Sequence, residues 1–541
     1  MTNKDIALSI KLLADLMELH EENAFRIKSY ANAYLSIRKF PGNLTESSES
    51  DISSFPGLGK SVAQKIIELV STGTIGDLEQ LKSKTPHGII DMLGVKGLGP
   101  KKVKILWKGE LQIEDTAELY QACQENRLIK LPGFGVKTQE DIKEKLQFHF
   151  SSLGKFHLAS LYDLAFELLL KLRLQQPAQK FEITGEVRRK LPVVKGIEIL
   201  STCEPEAWID EILTRDETKA GYFYKEIPVF YKVAEADLFE FTWLADTCSQ
   251  EFADEAGWIK GEFTSEEAIF ESVKLPYLVP EFRETATIVR AIRDGKKFQL
   301  IEESDIKGLI HNHSTYSDGA YSLEDMLKAA KQKGYQYLVI SDHSASAFYA
   351  NGLKEEAVLA QWKEIDALNQ KYADFKVIKG IESDILNDGN LDYSDEILAG
   401  FEIIIASIHS NLRMDKQKAT QRLVKAIENR YTHILGHPTG RLLLGRKGYE
   451  IDHPFVIDAC AANGVAIELN CNPLRMDLDW TQIPYALNKG VKICISPDAH
   501  STAHYDFVKY GIFTARKAGL SPQECLNFMD ANELLDWAKI K

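Results

Sequence analysis

No stretch of this sequence approaches the roughly 20 consecutive apolar residues that a membrane-spanning helix needs. The first residues, MTNKDIALSI, lack the basic region, apolar block and small-residue cleavage site of a secretory leader. Cysteine is sparse, with seven residues and no Cys-x-x-Cys pair, which argues for reduced thiols over a disulfide framework. A cytoplasmic protein without a membrane segment is therefore expected. Low-complexity segments are absent, and so is any excess of positive charge. A formal net charge of −14 argues against nucleic-acid binding by the whole surface, while leaving room for a local basic patch or an acidic metal-binding region. Histidine is scarce before residue 300, where His20, His87, His149 and His157 are the only four of the 13. The other nine follow, so a metal site belongs to the C-terminal part. A chain of 541 residues is too long for one core and suggests about three domains.

What the last 240 or so residues do contain is seven short apolar runs, each ending in a histidine, glutamate or asparagine. They are LIHNH to His313, YLVISDH to His343, VIKGIE to Glu382, IIIASIH to His409, HILGH to His437, VAIELN to Asn470 and KICISPDAH to His500. Runs so rich in Ile, Val and Leu suit strands buried on both faces. Helix-like stretches such as SLEDMLKAAKQKG and KATQRLVKAIENR lie between most of them. Alternating strands and helices predict parallel strands, and a barrel of such units gathers its chemistry at the strands' C-terminal ends. The hydrophilic run ends, spread over about 190 residues, should then converge in one mouth as a metal site.

Residues 1–155 read as helical, with Ile6, Ile10, Leu13 and Met17 at helical spacing. Three segments repeat one design: FPGLGKSVAQKI (Phe55–Ile66), VKGLGPKKVKIL (Val95–Leu106) and LPGFGVKTQEDI (Leu131–Ile142). Each places an apolar residue before Gly-x-Gly and a helix start: Gly57 and Gly59, Gly97 and Gly99, Gly133 and Gly135. Glycines permit a tight turn whose backbone N–H groups point outward at a helix N-terminus, which suits a phosphate. This is the helix-hairpin-helix pattern, a sequence-independent reader of DNA backbone. Lys60 adds charge to the first copy, and Lys96, Lys101, Lys102, Lys104 and Lys108 crowd the second with no acid among them. The third copy is less basic and suits packing more than binding. Residues 156–290 alternate helical and strand-like patterns, with strands expected at FEITGEV, IEILSTC, VFYKVAE and DLFEFTWL. Ile288–Ser304 reads as a connector into the metal domain at 305–541.

With these motifs assembled, the chain resembles the bacterial family X DNA polymerases that carry a C-terminal polymerase-and-histidinol-phosphatase (PHP) domain. The resemblance covers nearly the whole length. It rests on the hairpin region, on SEEAIFESVKLPYLVPEFRE (Ser265–Glu284), and on HNHSTYSDG, SDHS, GIESDI, SIHS, GHPTGRLLLGR and PDAHS. It implies a multidomain fold: a helical hairpin region, a small α/β nucleotidyltransferase-like middle domain, and a distorted (βα)7 PHP barrel. It also implies three divalent ions. His311, His313, Glu382 and Asp498 would bind the first, Glu382 would bridge to a second with His409 and His437, and Asp318, His343 and His500 would hold the third. Imidazole and carboxylate ligands suit zinc and manganese alike. Glu382, Asp498 and His409 are the candidate catalytic residues. Clustered divalent ions make hydroxide available near neutral pH and clamp a phosphate, so phosphoester hydrolysis is the expected reaction. Arg441, after His437, is a candidate phosphate contact, with a structural ion pair as the alternative.

The middle domain departs from the family. A family X polymerase is expected to carry Gly-Ser, two arginines and Gly-Asp-x-Asp, where this chain reads TGEVRRKLPVVKGIEIL. Arg188 and Arg189 remain, but Glu186 replaces the serine, and Gly196 and Glu198 replace the two aspartates. A third carboxylate could survive as Asp237. Phosphoryl transfer by a carboxylate-held metal pair would lose its frame, so polymerase activity is expected to be absent or vestigial. Lys65 matches the lysine that attacks a 5′-deoxyribose phosphate in family members with a lyase domain. That chemistry needs a neutral amine, to which Arg26, Lys28 and Lys60 could contribute. A phosphate-contacting or solvent-facing lysine is the competing reading. The resulting expectation is a monomeric, metal-dependent DNA phosphodiester hydrolase for repair, a 3′–5′ exonuclease with abasic-site cleavage as an added activity. The competing readings are a PHP-type small-molecule phosphatase and a DNA-end-binding scaffold.

Overall fold

The computed structural model describes residues 1–40, 42–95, 97–205, 207–216 and 221–539. The chain divides into two compact units, Met1–Leu153 and Gly154–Lys541. The first is helical. Its opening helix, Asn3–Leu19, begins at a capping box in which Thr2 and Asp5 satisfy each other's backbone N–H groups. Ile6, Ile10, Leu13 and Met17 form its buried stripe, joined by Leu16 and Leu19, while Leu12 is half-buried. All these residues enter one core with Val62, Ile66, Val103, Leu106 and Ile142 of the hairpin helices.

The second unit opens with the helix Leu158–Gln175 and a small mixed sheet. Its strands are β1 (Phe181–Ile183), β2 (Ile197–Ser201), β3 (Thr214–Asp216), β4 (Gly221–Tyr224) and β5 (Ile227–Val233). They lie in the order β1-β2-β5-β4-β3, with only β2 and β5 parallel. The strand expected at DLFEFTWL is instead helical: a 3-10 turn, Ala236–Leu238, runs into the helix Phe239–Asp246. Phe239, Phe241 and Trp243 alternate as a strand would. Tertiary packing decides otherwise, because Phe239 and Trp243, one turn apart, cover Leu200 and Ala234 while Leu244 enters a different core. β3 and β4 carry no comparable apolar run and were not expected.

Seven parallel strands follow: β6 (Gly308–Asn312), β7 (Tyr337–Ile340), β8 (Lys376–Asp384), β9 (Ile403–Ser407), β10 (Ile434–Leu435), β11 (Ala466–Asn470) and β12 (Ile493–Ser496). Each pairs with its successor in sequence. Asn312 bridges Ala499, with His313 N donating to Ala499 O at 2.8 Å, which all but closes the ring. The strand residues alternate between two apolar clusters, one toward the helices (Leu309, Leu338, Ile340, Val377, Ile404) and one inside (Ile310, Val339, Ile378, Ile403, Ile405). That double burial is why the strands read as unbroken apolar runs. Leu526, Leu534 and Ala538 fill the inner cluster from the C-terminal segment. Where β8 hands over to β9 only a one-turn helix, Asp395–Leu398, intervenes, so the barrel is irregular there.

Candidate functional site

The C-terminal ends of these strands deliver all seven run ends to one mouth. His311 lies near the end of β6 and His313 just beyond it; His343 follows β7, Glu382 lies on β8, His409 follows β9, His437 follows β10, and Asp498 and His500 follow β12. Glu382 is the hub. Its Oε1 lies 3.3 Å from His311 Nε2, 3.1 Å from His409 Nε2 and 3.0 Å from His437 Nε2, and its Oε2 lies 3.0 Å from His343 Nδ1. Asp498 Oδ1 stands 3.2 Å from His313 Nε2 and 3.6 Å from His311 Nε2. Asp318 Oδ1 stands 3.3 Å from His500 Nε2 and 3.7 Å from His343 Nε2. His311 and Asp498 hold φ of +70° and +50°, a left-handed backbone that β-strand ends rarely contain. Strain of this kind persists where surrounding structure holds it for a function.

Donor atoms gather into groups within 4.8 Å of one another: His311, His313 and Glu382; Glu382, His409 and His437; His313, Asp318, His343 and His500; and His343, Asp384 and His409. Their sharing of Glu382, His313 and His343 makes one continuous cluster. Burial opposes every charge here, so the neighbours set which groups stay ionised. Burial pushes Glu382 and Asp498 up, yet His409 and His311 hold Glu382, and His311 and His313 hold Asp498, well below the usual carboxylate range. His313 is pushed down to about 3 by burial and by His500 and His343. Burial would lower His409 and His500 too, but Glu382 and Asp384 raise the first to about 10, and Asp318 and Asp498 raise the second to about 9. His311 Nε2 and both ring nitrogens of His313 are fully buried without a well-formed hydrogen bond. A buried, neutral His313 beside ionised carboxylates fits a metal ligand, and the negative charge that raises His311, His409 and His500 would equally attract a divalent cation. Divalent ions there would supply a nucleophile at neutral pH and compensate phosphoester charge.

Two outer residues escaped the motif reading. Glu468 on β11, fully buried, takes His311 Nδ1 at 2.5 Å and the backbone N–H of His437 at 2.6 Å. Asp384 at the end of β8 takes His409 Nδ1 at 2.5 Å. Each sets which ring nitrogen of its histidine faces the cluster. A signal existed: an acid inside a doubly buried apolar strand needs a partner.

Family models match a helix-hairpin-helix domain at residues 1–75, a SAM-like helix-hairpin-helix tandem at 89–147 and a PHP domain at 310–471. The chain is 34% identical over 561 aligned positions, 97% of each protein, to the DNA polymerase/3′-5′ exonuclease PolX of Bacillus subtilis (strain 168). It belongs to the PolX family. A probable phosphatase of Thermoanaerobacter sp. (strain X514) is 27% identical over 43% of this chain and 94% of its own. The probable phosphatase YcdX of Shigella flexneri serotype 5b (strain 8401) is 32% identical over 30% of this chain and 62% of its own.

The three hairpin loops share one backbone. Gly57, Gly97 and Gly133 take φ of +85°, +89° and +81°, and Gly59, Gly99 and Gly135 then N-cap the helices Lys60–Thr72, Pro100–Lys108 and Val136–Ser152 with no side-chain cap. Val62 and Lys102 donate back to Gly59 and Gly99, and Pro100 has no N–H, so the N–H groups of Lys60, Ser61, Lys101, Val136 and Lys137 are left for an outside acceptor. Lys60 and Lys101 are exposed, Lys102 is half-buried, and Lys104 pairs with Glu21. Lys96 lies outside the described residues. Lys65 pairs with Glu68 at 2.8 Å and Asp77 at 3.3 Å, and Arg26 is spent on the same Asp77 at 3.0 Å. Burial would lower the Lys65 pKa, but the two acids raise it overall, the reverse of what amine attack requires. Arg441 is committed to Asp479 at 2.6 Å and to the carbonyls of Arg475 and Met476, the structural alternative.

In the middle domain the positions that match the polymerase motif are otherwise engaged. Glu198 accepts the Glu186 N–H at 2.5 Å, capping the short helix Gly185–Arg188, and burial raises its pKa. A Cβ at Gly196 would collide with the Pro228 carbonyl and stand 2.9 Å from the Phe230 ring. Phe230 is the parallel partner of Glu198. Asp237 is exposed beyond the end of β5 rather than on a strand beside β2. Arg188 forms a two-pronged pair with Glu266 at 2.7 Å, which the buried Arg283 completes at 2.9 Å, and it lies 3.4 Å over the Trp243 ring. Arg189 reaches Glu284 at 3.4 Å, which also takes Lys517 at 2.8 Å. Both arginines serve internal ion pairs.

Proposed function

We propose that this chain is a metal-dependent DNA phosphodiester hydrolase acting from the 3′ end, with abasic-site cleavage as an added activity and a role in DNA repair. The observation that carries the reading is the donor cluster around Glu382, with Asp498 beside His311 and His313, in a chain that also carries three phosphate-ready hairpin loops. His311, His313, Asp318, His343, Glu382, His409, His437, Asp498 and His500 would hold up to three divalent ions, zinc or manganese, with Glu382 at the hub. Glu468 and Asp384 keep His311 and His409 turned inward. DNA backbone is held without regard to sequence by the loops at Gly57–Lys60, Gly97–Lys102 and Gly133–Gly135. Polymerase activity is lost, because Gly196 and Glu198 supply no metal frame and Phe230 takes the space beside them. Lys65 and Arg441 serve structure in this reading.

The probable phosphatases that match the PHP portion favour a second reading, a small-molecule phosphatase. It leaves the hairpin region, which aligns throughout with a full-length PolX, without a task. Incubating the protein with a 5′-labelled primer on a longer template, Mn²⁺ and four deoxynucleotides separates the readings. Primer shortening without extension is expected. Extension would overturn the loss of polymerase activity, and an untouched primer together with rapid hydrolysis of small phosphomonoesters would favour the phosphatase.

A further inference from the structure

Phe348 is 87% exposed, as exposed as any large apolar side chain among the described residues. It stands in the loop that leaves β7 after the cluster residue His343. That loop is tethered along its length. Ala347 N donates to Ser344 O at 3.0 Å, Gly352 N to Ala347 O at 3.1 Å and Leu353 N to His343 O at 2.8 Å. Ser346 donates from Oγ to Asp384 Oδ2 at 2.9 Å and from its backbone N–H to Asp392 Oδ2 at 2.6 Å. Asn351, at φ +55°, donates from Nδ2 to the carbonyl of Tyr316, two residues before Asp318. One side of the loop is thus pinned to the carboxylate that orients His409, the other to the loop that supplies Asp318. Phe348 follows Ser346 by two residues, so their Cα atoms are within about 7.6 Å of each other.

A solvent-facing aromatic ring on an anchored loop that follows the cluster residue His343 offers what a flat, apolar ligand face requires. A phosphodiester entering the cluster brings such faces with it, one per nucleotide. The geometry points to Phe348 as a stacking platform for the nucleobase next to the scissile phosphodiester, at an unpaired DNA 3′ end. This rests on the nuclease reading above. Bases inside a duplex are covered by their neighbours, so the ring serves terminal or unpaired bases. Every base has a π-face, so the platform is indifferent to sequence.

The test compares the Mn²⁺-loaded wild type with Phe348→Ala and Phe348→Trp on two single-stranded oligonucleotides. One carries normal 3′ nucleotides, and the other carries base-free tetrahydrofuran residues at its last two positions. Phe348→Ala is expected to raise KM for the normal end about 5- to 100-fold, and Phe348→Trp to restore it. On the base-free end the ratio between Phe348→Ala and wild type should collapse to about twofold. A 2-aminopurine at the 3′ terminus should change its fluorescence on binding wild type or Phe348→Trp without metal, and not on binding Phe348→Ala. Equal losses on both ends would make the loop merely structural and overturn the platform, as would identical fluorescence with all three proteins. Failure of the loaded wild type to cleave either oligonucleotide or bis(p-nitrophenyl) phosphate would sink the nuclease reading instead, with the fluorescence still reporting on stacking.

Discussion

Glu468 accepts three hydrogen bonds inside the barrel: His311 Nδ1 on Oε1 at 2.5 Å, and His437 N at 2.6 Å and Asn470 Nδ2 at 3.3 Å on Oε2. Replacing it with glutamine preserves the volume but turns one of two accepting oxygens into an NH2 donor. Either His311 Nδ1–H or the His437 N–H must then face a donor. An unsatisfied buried donor costs about 1–3 kcal/mol. A histidine released in this way can also present its protonated nitrogen to the cluster, and removing such an outer partner typically lowers metal affinity or activity about 10- to 100-fold. Glu468→Gln is therefore expected to fold, to bind Mn²⁺ at least about tenfold more weakly by calorimetric titration, and to recover part of its activity in excess metal. Metal affinity within about twofold of wild type at an unchanged melting temperature would refute the claim that Glu468 orients His311.

The Arg188–Glu266–Arg283 network gives a pH dependence whose sign follows from its carboxylate. Burial would raise Glu266, but Arg283 and Arg188 bring it from 4.5 down to about 2, so its stabilisation is present above pH 4.5 and drains away as pH falls toward 2. Glu266→Gln leaves Arg283 buried without a counter-charge and should cost about 3–5 kcal/mol in chemical denaturation at pH 7, with the gap to wild type closing in acid. A gap constant from pH 7 to pH 2 would contradict the pairing. Charge reversal at Lys101 and Lys102 should weaken DNA binding and lower the slope of log K against log salt by about 0.9 for each phosphate no longer neutralised, measured by fluorescence anisotropy. An unchanged slope would remove the second hairpin from the DNA interface. Restoring aspartates with Gly196→Asp and Glu198→Asp should not restore primer extension, because the new Cβ meets Pro228 and Phe230, and should lower the melting temperature. Extension by that double variant would show that the middle domain still assembles a polymerase site.

The barrel and the hub of its cluster were legible because a strand buried on both faces leaves no polar residues except those with work to do. His313, His343, Glu382 and His437 stand out at the ends of such runs for that reason. Glu468 and Asp384 obey the same physics, yet they sit within or beside motifs that the histidines and Glu382 already explain. In the middle domain the local pattern was ambiguous: Phe239, Phe241 and Trp243 satisfy a period of two, while the helix they adopt is chosen by Leu200 and Ala234 from distant strands. Lys65 shows the same limit. Glu68, one turn along, can be read from spacing, whereas Asp77 belongs to the next helix and decides the charge state with it.

The central claim is that the Glu382 cluster performs DNA phosphodiester hydrolysis. The most direct test is Glu382→Ala beside wild type, with DNA affinity, bound metal and primer degradation measured on the same preparations. We expect Glu382→Ala to bind DNA within about twofold of wild type, to lose bound Mn²⁺, and to leave the primer intact, as follows if the hairpin loops hold backbone independently of the cluster. Full primer degradation by Glu382→Ala would contradict the account.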